Sequence, residues 1–389
     1  SNRMFHVKQG VGMIYFDNAA TSWPKPPETK NEILRVMESY GANPGRGAYP
    51  FAKDTSDYME GARAEIADFL GIKPADHLIF TGGNTESANV VLRSLLEPGD
   101  HLVYTSLEHN ATGRPIHLLE KQGIQATMIP ISGDEEKDLI AIEKSIRKNT
   151  KLFVINHGSN VLGYLEPLEK IIALAKRYNI LVFADMAQTA GIIPFFAAAS
   201  GIDFIAYAGH KSLLGYGGIG LLYIREPQRL KPFIYGGTGT LSHLIDQPSI
   251  VPTGFEAGTR NLIGIGSLLG GIRYIKKRSI EDICNHELVL TDKFLKGLKE
   301  LPHIRVYRLS SKAELPVVSL NIKNMDPGKV ALALAEKKDI CVRAGLHCAP
   351  FAHDTIGTKA YGTVRFSFGP FNQKEEVDEA LNVLESIKP

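Results

Sequence analysis

The sequence predicts an α/β protein with a large domain on a mostly parallel, seven-stranded sheet and a smaller α+β C-terminal domain. Three observations carry this. Between 78 and 224, seven short apolar runs alternate with helical stretches, the rhythm of a parallel sheet covered on both faces. After 279 that alternation gives way to a mixed pattern. The 389 residues also exceed what one hydrophobic core usually encloses. The domain boundary is expected near Asn261, with 14–261 in the large domain and 262–389, together with 1–13, in the small one.

The elements follow in order. Residues 13–16 form a short apolar strand, ended by Asp17-Asn18 and a proline-rich run. A helix over 28–40 is predicted from Ile33, Leu34 and Met37. A glycine-rich loop carrying Arg46 follows, then an amphipathic helix over 55–70 stopped by Gly71. Strands are expected at 78–80, 101–104, 127–130, 152–155, 180–184, 205–208 and 221–224. The helices between them run to about 96, to about 121, over 138–146 and over 168–178. A long helix at 262–277 and another to about 299 precede strands at 304–308, 317–322, 340–343 and 363–368. Helices at 329–337 and 374–387 complete the chain. In parallel sheets the chemistry gathers at the carboxyl ends of the strands, where the polar clusters fall here.

Composition excludes several classes of function. A net charge of +2 gives no electrostatic case for nucleic acid or an anionic membrane as partner. Three irregularly spaced cysteines argue against a disulfide framework and fit a reducing compartment, so a soluble, cytoplasmic protein is expected. No charged-then-apolar secretion signal is read, and the longest apolar stretch, 189–209, is broken by Pro194, Gly201 and Asp203. No metal site is assigned.

Lys211 lies at a polar break between two apolar strands, after His210 and before a run of glycines. An amine at the mouth of an apolar pocket can lose its proton and attack a carbonyl, although most loop lysines are merely solvated. Gly82-Gly-Asn84-Thr85-Glu86, between a strand and a helix, would aim free N–H groups at an anion, or serve as an ordinary capped turn. His109 follows a strand end and is either a hydrogen-bonded loop residue or an imidazole stacked on a flat cofactor. Asp185 ends a very apolar strand; a helix cap explains it, and so does a protonated pyridine nitrogen. Cys341 and Cys284 read as packed residues. Cys348 instead occupies a turn beside His347 and near Arg343, where cationic neighbours favour a nucleophilic thiolate. Arg365 sits among apolar strand residues and requires an anionic partner, internal or bound.

Asp17-Asn-Ala-Ala-Thr21, Gly83-Asn-Thr-Glu86, Glu108-His109, Ser159-Asn-Val161, Asp185-Met-Ala-Gln188, Gly209-His-Lys211, Phe255-Glu-Ala-Gly-Thr259 and Arg343-Ala-Gly-Leu-His-Cys348 together resemble the class V aminotransferase family. The nearest branch is that of cysteine desulfurases and selenocysteine lyases. The resemblance implies a fold-type I pyridoxal-phosphate enzyme, a homodimer with sites at the subunit interface. Lys211 would hold pyridoxal 5'-phosphate as a Schiff base. His109 would stack on its ring, Asp185 pair with the ring nitrogen, and Gln188 bond the phenolic oxygen. Asn84, Thr85 and His210 would hold the phosphate, with Thr259 reaching over from a second subunit. Asn160, also beside the cofactor, Arg343 and Arg365 would bind the substrate, Asn160 and Arg365 by gripping its carboxylate. Cys348 would accept sulfur from L-cysteine as a persulfide, on a short loop, for delivery to an acceptor protein. Three positions depart from the family pattern: Ala208 stands for a usual serine, Gly45 for a histidine, and Leu213-Leu-Gly-Tyr216 for an aromatic-Gly-Pro run. The alternatives are a selenocysteine lyase, another class V reaction with Cys348 incidental, and a non-catalytic scaffold or sulfur-carrier docking relative.

Overall fold

The computed structural model describes residues 12–45 and 47–387, so Arg46 lies outside the described residues. A two-residue strand, β1 (Ile14–Tyr15), opens the chain. The large sheet then takes β2 (Leu78–Thr81), β3 (His101–Thr105), β4 (Gln125–Ile129), β5 (Thr150–Asn156), β6 (Leu181–Asp185), β7 (Phe204–Ala208) and β8 (Gly220–Ile224). Their spatial order is β2-β8-β7-β6-β5-β3-β4, and only β8 runs antiparallel to its neighbours.

Alternation along these strands feeds two cores. Phe153, Ile155, Val182 and Ile205 point to one face, and Leu152, Val154, Phe183 and Phe204 to the other. Helices Pro50–Phe69, Leu168–Arg177 and Leu262–Arg278 cover the first face; Asn84–Leu95 and Asn110–Glu120 cover the second. Both faces are dry, so polar chemistry is confined to the strand ends.

The smaller sheet contains β9 (Ile304–Tyr307) and β10 (Val317–Ile322), with β12 (Arg343–Gly345) and β13 (Thr363–Ser367) in the antiparallel order β12-β13-β10-β9. Between them β11 (Ile340–Cys341) pairs in parallel with β1, which ties the first strand to this part of the chain. Phe16, Phe294, Phe366 and Phe368 form the centre of a third core.

Three stretches differ from expectation in pairing or by more than two residues. The strand predicted over 340–343 divides, because Ile340–Cys341 and Arg343–Gly345 answer to different partners, β1 and β13. The helix expected from 55 starts at Pro50, whose missing N–H costs nothing in a first turn; Thr55 is internal and its hydroxyl donates to the Phe51 carbonyl at 2.9 Å. The helix expected from 138 starts at Glu135, capped by Asp134 accepting from the Lys137 N–H. A short helix at Pro350–Thr355, with no periodicity long enough to read, directly follows the Cys348 loop. Among the described residues no helix is long and apolar enough to cross a membrane.

Candidate active site

A cavity of about 680 Å³ opens at the carboxyl ends of β2, β5, β6 and β7, and Arg343 and Arg365 of the smaller sheet close its far side. Of the residues singled out from sequence, Asn84, Thr85, His109, Asn160, Asp185, Gln188, His210, Lys211, Arg343 and Arg365 all line it.

Asn84 and Thr85 open the helix that follows β2, with Gly83 at its N-cap and no side chain capping the first turn. Its N–H groups are therefore available to an anion. The approach of β8 depends on a missing side chain, since a Cβ at Gly220 would lie 2.5 Å from the Gly83 Cα. Asp185 ends β6 and is 2 % exposed. Its oxygens accept from the Ala187 N–H at 2.9 Å and the Asn84 amide at 2.7 Å. Burial raises its pKa, while the Ala187 N–H, Lys211 and Asn84 pull the other way.

Lys211 makes no ion pair among the described residues. Withdrawal from water lowers its pKa to about 8; the Asp185 carboxylate opposes that change and the Arg365 and Arg343 guanidiniums add to it. His109 caps the helix Asn110–Glu120, its Nδ1 accepting from the Ala111 N–H at 3.0 Å, which leaves its proton on Nε2. Burial, helped by Lys211 and nearby arginines, drives its pKa down to about 3, so the ring that lines the cavity is neutral. Burial likewise lowers His210 to about 4. Gln188 already donates its Nε2 to the Ala19 carbonyl at 2.9 Å.

Arg365 is wholly buried on β13 and its Nη2 meets Asp17 Oδ1 at 2.7 Å, so the internal partner considered from sequence exists. Its Nη1 reaches the Asn160 carbonyl at 3.3 Å, while its Nε has no partner. Asn160 Oδ1 and Asn84 Oδ1 are buried and unpaired as well. Three orphaned polar atoms around one cavity are what a site built for a polar ligand leaves behind.

Cys348 is half-buried just outside the cavity wall, with the Arg343 Nη2 3.4 Å from its Sγ. Only 346–349 separate β12 from the following helix. Both His347 (φ 51°) and Cys348 (φ 58°) occupy left-handed backbone, an unfavourable conformation that neighbours must hold in place. The Asn160 amide donates to the His347 carbonyl at 2.8 Å, and the Asn110 N–H donates to the Cys348 carbonyl at 2.7 Å. The backbone at His347 and Cys348 is thereby pinned to Asn160 and to the start of the helix Asn110–Glu120. Thr259 lies elsewhere, in a cleft of about 390 Å³ shared with 41–44 and the end of the first helix. Sequence reading gave no role to Asp17 or Asn156. Asn156 lines the cavity with its amide committed to the Leu107 carbonyl at 2.6 Å.

An amine, an enclosed carboxylate, a neutral imidazole and an uncapped helix start thus share one cavity. Residues 14–380 match the Aminotransferase class-V family, and the chain belongs to it. That family consists of pyridoxal-phosphate enzymes. A probable cysteine desulfurase of Pyrococcus abyssi is 35% identical, the match covering 96% of this chain and 94% of the relative. One of Mycolicibacterium paratuberculosis is 34% identical over 97% of this chain, which spans only 56% of that relative's length. The apo structure of cysteine desulfurase from Thermococcus onnurineus NA1 superimposes with a TM-score of 0.87 at 34% identity, covering 96% of this chain and 94% of that one.

Proposed function

We propose that this chain is a pyridoxal-phosphate-dependent cysteine desulfurase that converts L-cysteine to L-alanine and retains the sulfur on Cys348. The observation that carries this reading is the Arg343–Cys348 contact, which holds a thiol at the rim of the cavity that Lys211 enters. The cavity fits the cofactor: Asp185 supplies the anion a ring nitrogen needs, and the helix start at Asn84–Thr85, with His210, suits its phosphate. His109 would stack on the ring and Gln188 reach its phenolic oxygen. When bound, pyridoxal phosphate supplies a carbonyl for the amine and an electron sink for charge at the substrate Cα.

The chain's own groups do the rest. Arg365, with Asn160, grips the substrate carboxylate through its unpaired Nε, and Arg343 keeps the thiol oriented. With a pKa near 8, Lys211 is partly neutral at physiological pH and takes the Cα proton. The Cys348 thiolate forms an S–S bond to the substrate sulfur while the substrate C–S bond breaks. That electron pair stays with carbon, so protonation gives alanine and the protein keeps a persulfide. A second copy of the chain completes the site through Thr259, which is outside its own cavity and beside exposed Met37 and Ile263.

Lys211→Ala is expected to bind pyridoxal phosphate without developing its visible absorbance. Cys348→Ser is expected to keep that absorbance and lose alanine production from cysteine by at least about 100-fold. Undiminished turnover of cysteine by Cys348→Ser would overturn the sulfur-transfer step.

A further inference from the structure

The Ala349 N–H donates to the Leu346 carbonyl at 2.9 Å, which closes a tight turn with His347 and Cys348 at its two central positions. Both are left-handed, a geometry that glycine, asparagine or aspartate ordinarily supplies. Something must hold such a turn in place. His347 is 2 % exposed, and its Nε2 lies 3.0 Å from both the carbonyl and the hydroxyl of Thr363 on β13. A carbonyl can only accept, so Nε2 carries the ring proton, and Nδ1 is bare, buried and without a partner among the described residues. Burial, helped by Arg365, His353 and Arg343, lowers the pKa of this ring to about 2 against the Thr363 bond. The imidazole read from sequence as a cationic neighbour of the thiol is therefore neutral and bonded to β13; the cation beside Sγ is Arg343. The His353 ring, on the helix that follows the turn, lies 5.6 Å from that of His347. Its Nδ1 is 2.7 Å from the Thr358 hydroxyl, and the Gly362 N–H donates to the Thr358 carbonyl at 2.7 Å, which leads back to Thr363.

We propose that His347 is a positioning residue for sulfur transfer: the hydrogen bond from its Nε2 to Thr363 holds the left-handed turn and so fixes where the Cys348 thiol meets the substrate. The inference rests on Cys348 accepting the sulfur. Its physical content is that the ring acts through geometry, since a neutral imidazole engaged with β13 has no proton to give to thiol or substrate. A turn tied at its carbonyls to Asn160 and Asn110 and at its ring to Thr363 presents the thiol from one direction.

The test compares His347→Asn and His347→Gln in the holoprotein. Asn accepts left-handed backbone as readily as His but is too short to reach Thr363, whereas Gln carries an amide N–H out to the distance of Nε2. Two rates are read at saturating substrate. Alanine formation from L-cysteine, with a dithiol reductant present, needs the thiol. Exchange of the L-alanine Cα hydrogen with D2O needs Lys211 and no thiol. In His347→Asn, desulfuration should fall about 100-fold, the effect of a displacement of about 1 Å, with KM and Cα exchange within about threefold. Gln should bring desulfuration back to within about tenfold of wild type. Wild-type desulfuration by the Asn variant, a Gln variant as impaired as Asn, or Cα exchange falling in step with desulfuration each overturns the proposal. Undiminished alanine formation by Cys348→Ser in the same assay overturns the sulfur-transfer reading instead.

Discussion

Glu108, next to the cavity histidine, is wholly buried, with one carboxyl oxygen accepting from the Thr112 hydroxyl at 2.6 Å and the other unpaired. Burial, with the Asp185 charge adding to it, lifts its pKa to about 8 against the opposing Thr112 hydrogen bond. Glu166, also buried, is raised for the same first reason. In the folded chain Glu108 keeps its proton between about pH 4.5 and 8, whereas the unfolded chain has lost it. The unfolded state then binds fewer protons, so this group's contribution to stability is present at low pH and is lost as pH rises through that window. Glu108→Gln cannot titrate there. Its unfolding free energy should match wild type near pH 5 and exceed it at pH 8 by on the order of 1–3 kcal/mol; equal stability to wild type at both pH values would contradict the assignment. Residues such as Lys211 and Asp185 were legible in the sequence because a polar group at the end of an apolar strand has few structural excuses. Asp17 was not, because its meaning lies in Arg365, 348 residues away, and only the folded topology brings them to 2.7 Å.

Among the elements, the helix Pro50–Phe69 is bolted to the segment before Leu262–Arg278 by one enclosed ion pair. Arg63 Nη1 and Nη2 meet the two Glu256 oxygens at 2.7 and 2.9 Å, and the Phe80 N–H donates to the same carboxylate at 2.6 Å. One carboxylate therefore joins a helix, strand β2 and the approach to Thr259. Glu256→Ala leaves the buried guanidinium only the more exposed Glu60, 2.9 Å from its Nε, and the Leu78 carbonyl, and should cost about 2–3 kcal/mol in denaturant unfolding, more than loss of a surface pair. A loss under about 1 kcal/mol would show that water reaches Arg63. Helices with long apolar stripes were readable to within a few residues. Those begun by Pro50 or Asp134 shifted because capping, not periodicity, sets a first turn. The division of 340–345 between β11 and β12 has no local signature, since strand partners are chosen by the rest of the chain.

For the whole molecule, the alternation of strands and helices foretold a parallel sheet but not that β8 would insert antiparallel between β2 and β7. That insertion brings Gly220 onto Gly83 and so builds the floor beneath the helix start. The proposed dimer is a property of this scale too. Tyr235 and Ile245 are strongly exposed apolar side chains in the 234–250 stretch, beyond what a solvated loop needs. Sedimentation should give twice the chain mass, and charges at both positions (Tyr235→Asp with Ile245→Asp) should yield a monomer whose pyridoxal-phosphate Kd is weaker by at least about tenfold. A monomeric wild type with tight cofactor binding would contradict a shared site. The central claim is that Lys211 and Cys348 work on the two ends of one substrate. Peptide mass spectrometry of the holoprotein after brief exposure to L-cysteine tests it most directly. One added sulfur on the Cys348 peptide, absent in Lys211→Ala, is the predicted result. Sulfur on Cys284 or Cys341 instead, or equal labelling of Cys348 without Lys211, would contradict it.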